Sequence, residues 1–165
     1  LFATACLYVH FSGHGWGFNI HDLFSQPFAV FGYNFSHVNF DHLIGNLLYL
    51  LLLGPAVEAY FGRFRYISFW ILCGIGGGIG WALFYPKSVI IGASVANSGL
   101  MAVFPFVQRS LVGKLLTGLV FLVMLYNQFG ASVSDLINSS DVAHLGHVAG
   151  AVTGLILFCL FKRNQ

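Results

Sequence analysis

Ser94 is a small hydroxyl in a glycine-flanked run, Ile91-Gly92-Ala93-Ser94-Val95-Ala96-Asn97-Ser98-Gly99, within a chain that is mostly apolar. Small neighbours such as Gly92 and Gly99 let a second backbone come close to the serine oxygen. A serine hydroxyl is inert at neutral pH unless a base takes its proton. A second run, His147-Val148-Ala149-Gly150-Ala151-Val152-Thr153-Gly154, supplies a candidate base. On a helix Gly150 and Gly154 lie on the same face as His147 and allow close approach of a neighbouring helix. A third run, His42-Leu43-Ile44-Gly45-Asn46, puts two hydrogen-bond donors, His42 and Asn46, on one helix face. These residue types describe acyl transfer. Ser94 attacks a carbonyl, His147 accepts the proton, and His42, Asn46 and the Ser94 amide surround the developing oxyanion.

Each candidate has a rival. Ser98 also precedes a glycine, Gly99, but has Ala96 rather than glycine two residues before it. His144 lies one helical turn before His147 and nearer the preceding loop. Serine, histidine and asparagine also serve as interhelical hydrogen-bonding residues in membrane spans. Asp41 and Asp141 are read as helix caps rather than as the acid of a triad, so a Ser94–His147 dyad is expected. No metal is expected: the H-E-x-x-H signature is absent, and His42, His144, His147 and Asp41 form only a weak zinc pattern.

The surrounding elements follow from composition. The chain has 165 residues, 58% hydrophobic and only 7% charged. An ordinary soluble domain carries about 25% charged residues, so this chain lacks the means to cover itself in water. An all-α, polytopic membrane bundle is expected, as one domain over residues 1–165. A net charge of +2 gives no reason to expect nucleic acid as a partner. Cys6, Cys73 and Cys159 each lie in apolar runs without a C-x-x-C pair and are read as packing residues.

Six spans are expected, near residues 1–12, 41–61, 66–85, 94–108, 112–129 and 141–161. The first is too short to cross a bilayer, which takes about 20 residues, and is read as trimmed at its start. Residues 13–40 mix aromatic and polar side chains and are expected to form a long loop with short helices in the interface. Gly62-Arg63-Phe64-Arg65 reads as a short basic turn, and Gly74, Gly76, Gly77, Gly78 and Gly80 as a close-packing surface. Arg63, Arg65, Arg109, Lys114, Lys162 and Arg163 then fall on one side of the membrane, with Lys87 on the other. The positive-inside rule places both termini in the cytoplasm, as in a protein of the inner or plasma membrane. Ser94 and His147 come to the same, outer side. From Ser94 to Arg109 there is only about 22 Å of helix against about 30 Å of hydrocarbon, so Ser94 is expected to lie below the membrane surface. Irregular backbone at that depth must line protein or a hydrated cavity.

The motifs, in this order, resemble those of the rhomboid intramembrane serine proteases. The resemblance runs from about Phe35 to Phe161. It rests on G-x-S at Gly92 and Ser94 with Ala96 and Gly99 after it, H-x-x-G-x-x-x-G at His147, Gly150 and Gly154, and H-x-x-x-N at His42 and Asn46. Gly54, Glu58 and Gly62 resemble the family's G-x-x-x-E-x-x-x-G, and His37 fits a further family position. The resemblance implies a six-span fold and a Ser94 nucleophile with His147 as base. It also implies His42 and Asn46 as oxyanion donors, no cofactor, and transmembrane protein substrates cleaved in the lipid bilayer. The chain departs from the family pattern at Val95, usually glycine, and at Ser98, often aromatic. The alternative expectation is a catalytically weak or inactive rhomboid-like protein that binds transmembrane helices.

Overall fold

The computed structural model describes residues 1–107 and 144–161, together with Leu111, Lys114, Leu115, Gly118, Leu119 and Leu122. The expected fifth span, the loop of residues 130–140, Arg109, Asp141, Lys162 and Arg163 lie outside the described residues, apart from those isolated positions. Among the described residues the fold is all-helical, with one isolated bridge between Phe18 and Ile90. Helix α1 covers Phe2–Ser12, α2 Asp22–Ser25, α3 Ala29–Gly32, α4 Phe40–Phe61, α5 Arg63–Phe84, α6 Ser94–Val107 and α7 His144–Phe161. A 3-10 turn, Tyr33–Phe35, follows α3.

Helices α4, α5 and α7 are long and apolar enough to cross a membrane. Twenty-two residues in each of α4 and α5 give about 33 Å of helix, enough for the hydrocarbon core. Their outer faces expose Leu48, Leu51, Leu52, Leu83, Phe84, Leu155, Ile156 and Leu160. Apolar side chains in such density on the outside mark a lipid-facing surface. Helix α6 has only 14 residues, and every one from Val95 to Met101 is buried. It packs against α4, α5 and α7 and forms the centre of the bundle.

The glycines of α5 divide between the first loop on one side and α6 and α7 on the other. A Cβ at Gly74 would meet the Asn34 side chain and one at Gly78 the Tyr33 ring, so this face receives the first loop. Gly76 faces Thr153, Gly80 faces Ala149, and Gly77 faces both Val95 and the α7 backbone. Without a hydrophobic force between helices in lipid, such close contact is what holds the helices together.

Several local expectations need correction. The α4 cap is Asn39, whose side chain accepts from the His42 N–H at 2.8 Å, while Asp41 lies in the first turn. Asn39 is the residue with extended backbone, which the cap position requires. The basic turn reduces to Gly62 at φ 80°, and Arg63 and Arg65 already belong to α5. The first loop is more than a surface segment: Phe18, Ala29, Tyr33, Asn34 and Ser36 are buried in it. Two of its polar groups tie it down, Ser36 Oγ accepting from Trp16 N–H and the Tyr33 hydroxyl donating to Gly74 O. Cys6 and Cys73 are buried as expected, but Cys159 is exposed on α7 rather than packed in the core.

Candidate active site

Helices α4, α6 and α7 all present their first turns to the same region, so three residues distant in sequence converge. Ser94 opens α6, His147 is in the first turn of α7 and His42 in that of α4. His147 Nε2 lies 2.9 Å from Ser94 Oγ. His147 is buried and Ser94 half-buried, so the pair is dry on one side and reachable on the other. With the imidazole proton on Nδ1, Nε2 accepts from the hydroxyl, which is the arrangement a general base needs. Nδ1 of His147 has no hydrogen-bond partner among the described residues. Among the described residues no carboxylate meets that nitrogen.

Glycine sets the distance between these two residues. A Cβ at Gly150 would collide with the Val95 carbonyl, and one at Gly154 would lie 2.8 Å from both Cα and O of Gly99. The backbones of α6 and α7 therefore touch on the face below the pair. Val95, the departure from the family pattern, is fully buried in this packing: its methyls lie against Gly77, Gly146 and Gly150. Three glycines without side chains make the room a valine requires.

Gly92 holds the loop before Ser94 against α4. Its φ of +113° is a conformation that side-chain-bearing residues rarely adopt. A Cβ there would stand 2.6 Å from His42 Cε1 and 2.8 Å from its Nε2. The same loop is tied to the first loop by Gly92 N–H to Tyr33 O at 2.9 Å and by the paired Phe18–Ile90 bonds. His42 thus lies beside the serine loop, and its ring meets His37 edge-on at a centroid distance of 5.2 Å.

Asn46 is buried one turn further along α4. Its side-chain amide donates to His42 O at 2.9 Å. The rival residues behave differently. Ser98 donates its hydroxyl to Ser94 O at 2.9 Å, a bond back into its own helix. His144 lies one turn from His147, ring centroids 6.2 Å apart. Glu58 lies away from this region, 3.7 Å from Arg63 at the other end of α4. No group of three or more His, Cys, Asp or Glu that could hold a metal ion occurs among the described residues.

One participant escaped the sequence reasoning. Asn97, three residues after Ser94, is almost completely buried and links Asn46 to the Trp70 indole. The available signal was an amide inside an apolar helix, where an unpaired polar group is costly and a partner is therefore required.

A Rhomboid domain family model matches residues 25–164 of this chain. The chain belongs to the rhomboid family and is a multi-pass integral membrane protein. It is 30% identical over 141 residues to "Rhomboid-like protein 11, chloroplastic" of Arabidopsis thaliana, covering 78% of this chain and 50% of the relative. It is 27% identical over 135 residues to "Putative rhomboid protease YdcA" of Bacillus subtilis (strain 168), covering 78% and 65%. Identity to "Rhomboid protease GluP" of the same organism is 29% over 124 residues, covering 72% and 24%. The chain thus spans between about a quarter and two thirds of these relatives' lengths.

Proposed function

We propose that this protein is an intramembrane serine endopeptidase in which Ser94 is the nucleophile and His147 the general base. The observation that carries the reading is the 2.9 Å contact between Ser94 Oγ and His147 Nε2. Membership of a family that includes named proteases supports it.

The reaction begins with a transmembrane substrate helix that unwinds locally, which helix-weakening residues ease. Ser94 Oγ attacks the exposed carbonyl carbon while its proton passes to His147 Nε2. Negative charge gathers on the former carbonyl oxygen. The Ser94 backbone N–H, at the start of a helix where amides lack intrahelical acceptors, together with His42 and Asn46, stabilises it. Collapse of the tetrahedral species breaks the C–N bond, and the amine leaves with the proton from His147. Water, deprotonated by His147, then hydrolyses the acyl-enzyme and restores Ser94.

Within this reading residues 1–165 form one six-span domain with both termini cytoplasmic and the site near the outer side of an inner or plasma membrane. Gly92, Gly99, Gly150 and Gly154 shape the approach of backbones around the pair. Glu58 belongs to the opposite end of the bundle.

The test is fluorophosphonate labelling and cleavage of a transmembrane substrate by the purified chain in detergent, wild type against Ser94→Ala. Labelling and cleavage confined to wild type support the reading. Undiminished cleavage by Ser94→Ala, or a folded wild type that neither labels nor cleaves, overturns it; the latter favours a protein that binds transmembrane helices without cutting them.

A further inference from the structure

We infer that Asn97 and Trp70 are positioning residues that fix the orientation of the Asn46 side-chain amide, so that it offers an N–H, not an oxygen, to the carbonyl under attack. This rests on the Ser94 hydrolase reading above.

The argument is one of donors and acceptors. An indole N–H can only donate. Trp70 Nε1 donates to Asn97 Oδ1 at 3.0 Å. The Asn97 oxygen must therefore face Trp70, and its amino group must face α4. There it donates to Asn46 O at 3.1 Å and Asn46 Oδ1 at 3.3 Å. The Asn46 oxygen is thereby committed to Asn97, and its amino group to the other side. One of those two N–H bonds goes to His42 O at 2.9 Å. The second remains for a ligand. Turning the Asn46 amide over would set two amino groups against each other and an oxygen against the His42 carbonyl. Both contacts are repulsive, and burial makes them more so.

The anchor of the chain is itself held. Trp70 is fully buried, its ring stacked on Phe2 at 4.2 Å and tilted against Phe35 at 5.5 Å. Asn97 is 2% exposed, so water does not compete for its amide. The order runs from α5 through α6 to α4 and ends at Asn46, which donates to His42 O.

The experiment uses the full chain in detergent with a transmembrane substrate, comparing wild type, Asn97→Leu, Trp70→Phe and the double variant. Outright loss of an oxyanion donor costs about 10²–10³ in kcat, so Asn97→Leu is expected to lower kcat by about 10- to 100-fold with KM little changed. Trp70→Phe lowers it less. The double variant is no slower than Asn97→Leu, because one broken link already frees the amide. Unchanged kcat in Asn97→Leu, or losses that multiply in the double variant, overturn the proposal. A second measurement needs no activity. In Ser94→Ala protein, the Asn46 side-chain amide resonances should move on Trp70→Phe substitution, and resonances that stay in place overturn the proposal even if Asn97→Leu does not fold. A wild type without cleavage or labelling sinks the hydrolase reading alone, while the resonances still decide the amide order.

Discussion

The Gly92 backbone lies against the His42 imidazole so closely that a Cβ at Gly92 would fall 2.6 Å from His42 Cε1. The loop that leads into Ser94 and the helix that carries His42 and Asn46 are therefore held in register through a residue with no side chain. Gly92→Ala is expected to be doubly costly. Its φ of +113° adds strain of order 1–3 kcal/mol, and the methyl displaces His42. Thermal unfolding in detergent should show the loss of stability, and substrate cleavage should fall at least about tenfold, the factor that 1.4 kcal/mol represents.

Gly150 governs the separation of α6 and α7. In Gly150→Ala the added methyl meets the Val95 carbonyl, a backbone atom that cannot swing aside. Overpacking of this kind costs about 1–3 kcal/mol and should part His147 from Ser94, so fluorophosphonate labelling should drop with stability. Gly45→Ala is the control. Nothing lies within 4 Å of a Cβ there, and both labelling and melting temperature should stay near wild type.

The two serines of α6 separate cleanly. Ser98 spends its hydroxyl on the Ser94 carbonyl, while Ser94 turns its own to His147. Ser98→Ala should keep cleavage within about threefold of wild type and shift stability by no more than about 1 kcal/mol, the worth of one ordinary hydrogen bond. A loss matching that of Ser94→Ala would assign the nucleophile wrongly.

His37 gives the fold a pH dependence. Burial, and then the neighbouring His42, push its imidazole down to about 4 from an ordinary value of 6.5, and neither ring nitrogen has a hydrogen-bond partner among the described residues. Above the unfolded value both states are neutral and nothing is lost. As pH falls from 6.5 toward 4 the unfolded chain takes up a proton that the folded one refuses, so stability declines across that window and levels off below it. Melting temperature measured against pH should show this slope in wild type and a shallower one in His37→Gln.

Much of the site could be read from the one-dimensional pattern. Helical spacing put Gly150 and Gly154 on the His147 face, and the structure has both against α6. The glycines of α5 were legible as a contact surface, because small residues in an apolar span have few other uses. Which partner each would meet was not legible. Gly74 and Gly78 receive the first loop and Gly76, Gly77 and Gly80 receive α6 and α7, a division that depends on the rotation of α5 about its axis. The burial of Tyr33 and Asn34 was missed for a related reason: a mixed polar and aromatic segment suits an interface as well as it suits a loop folded onto the bundle.

By itself the sequence determined the solvent and named the candidate groups for the proposed chemistry. Fifty-eight per cent hydrophobic and 7% charged residues leave lipid as the only comfortable surroundings. Helical spacing then assigns the sparse polar groups to faces, because periodicity is a local property. Tertiary structure alone decided which of those faces meet. The contact of Ser94 rather than Ser98 with His147, the packing of Val95 against three glycines, and the Trp70–Asn97–Asn46 order all depend on contacts between helices far apart in the chain. Such contacts are set by the axial rotation and depth of each helix, and in a bilayer these follow from packing rather than from apolar pattern, since every face is apolar enough to point anywhere.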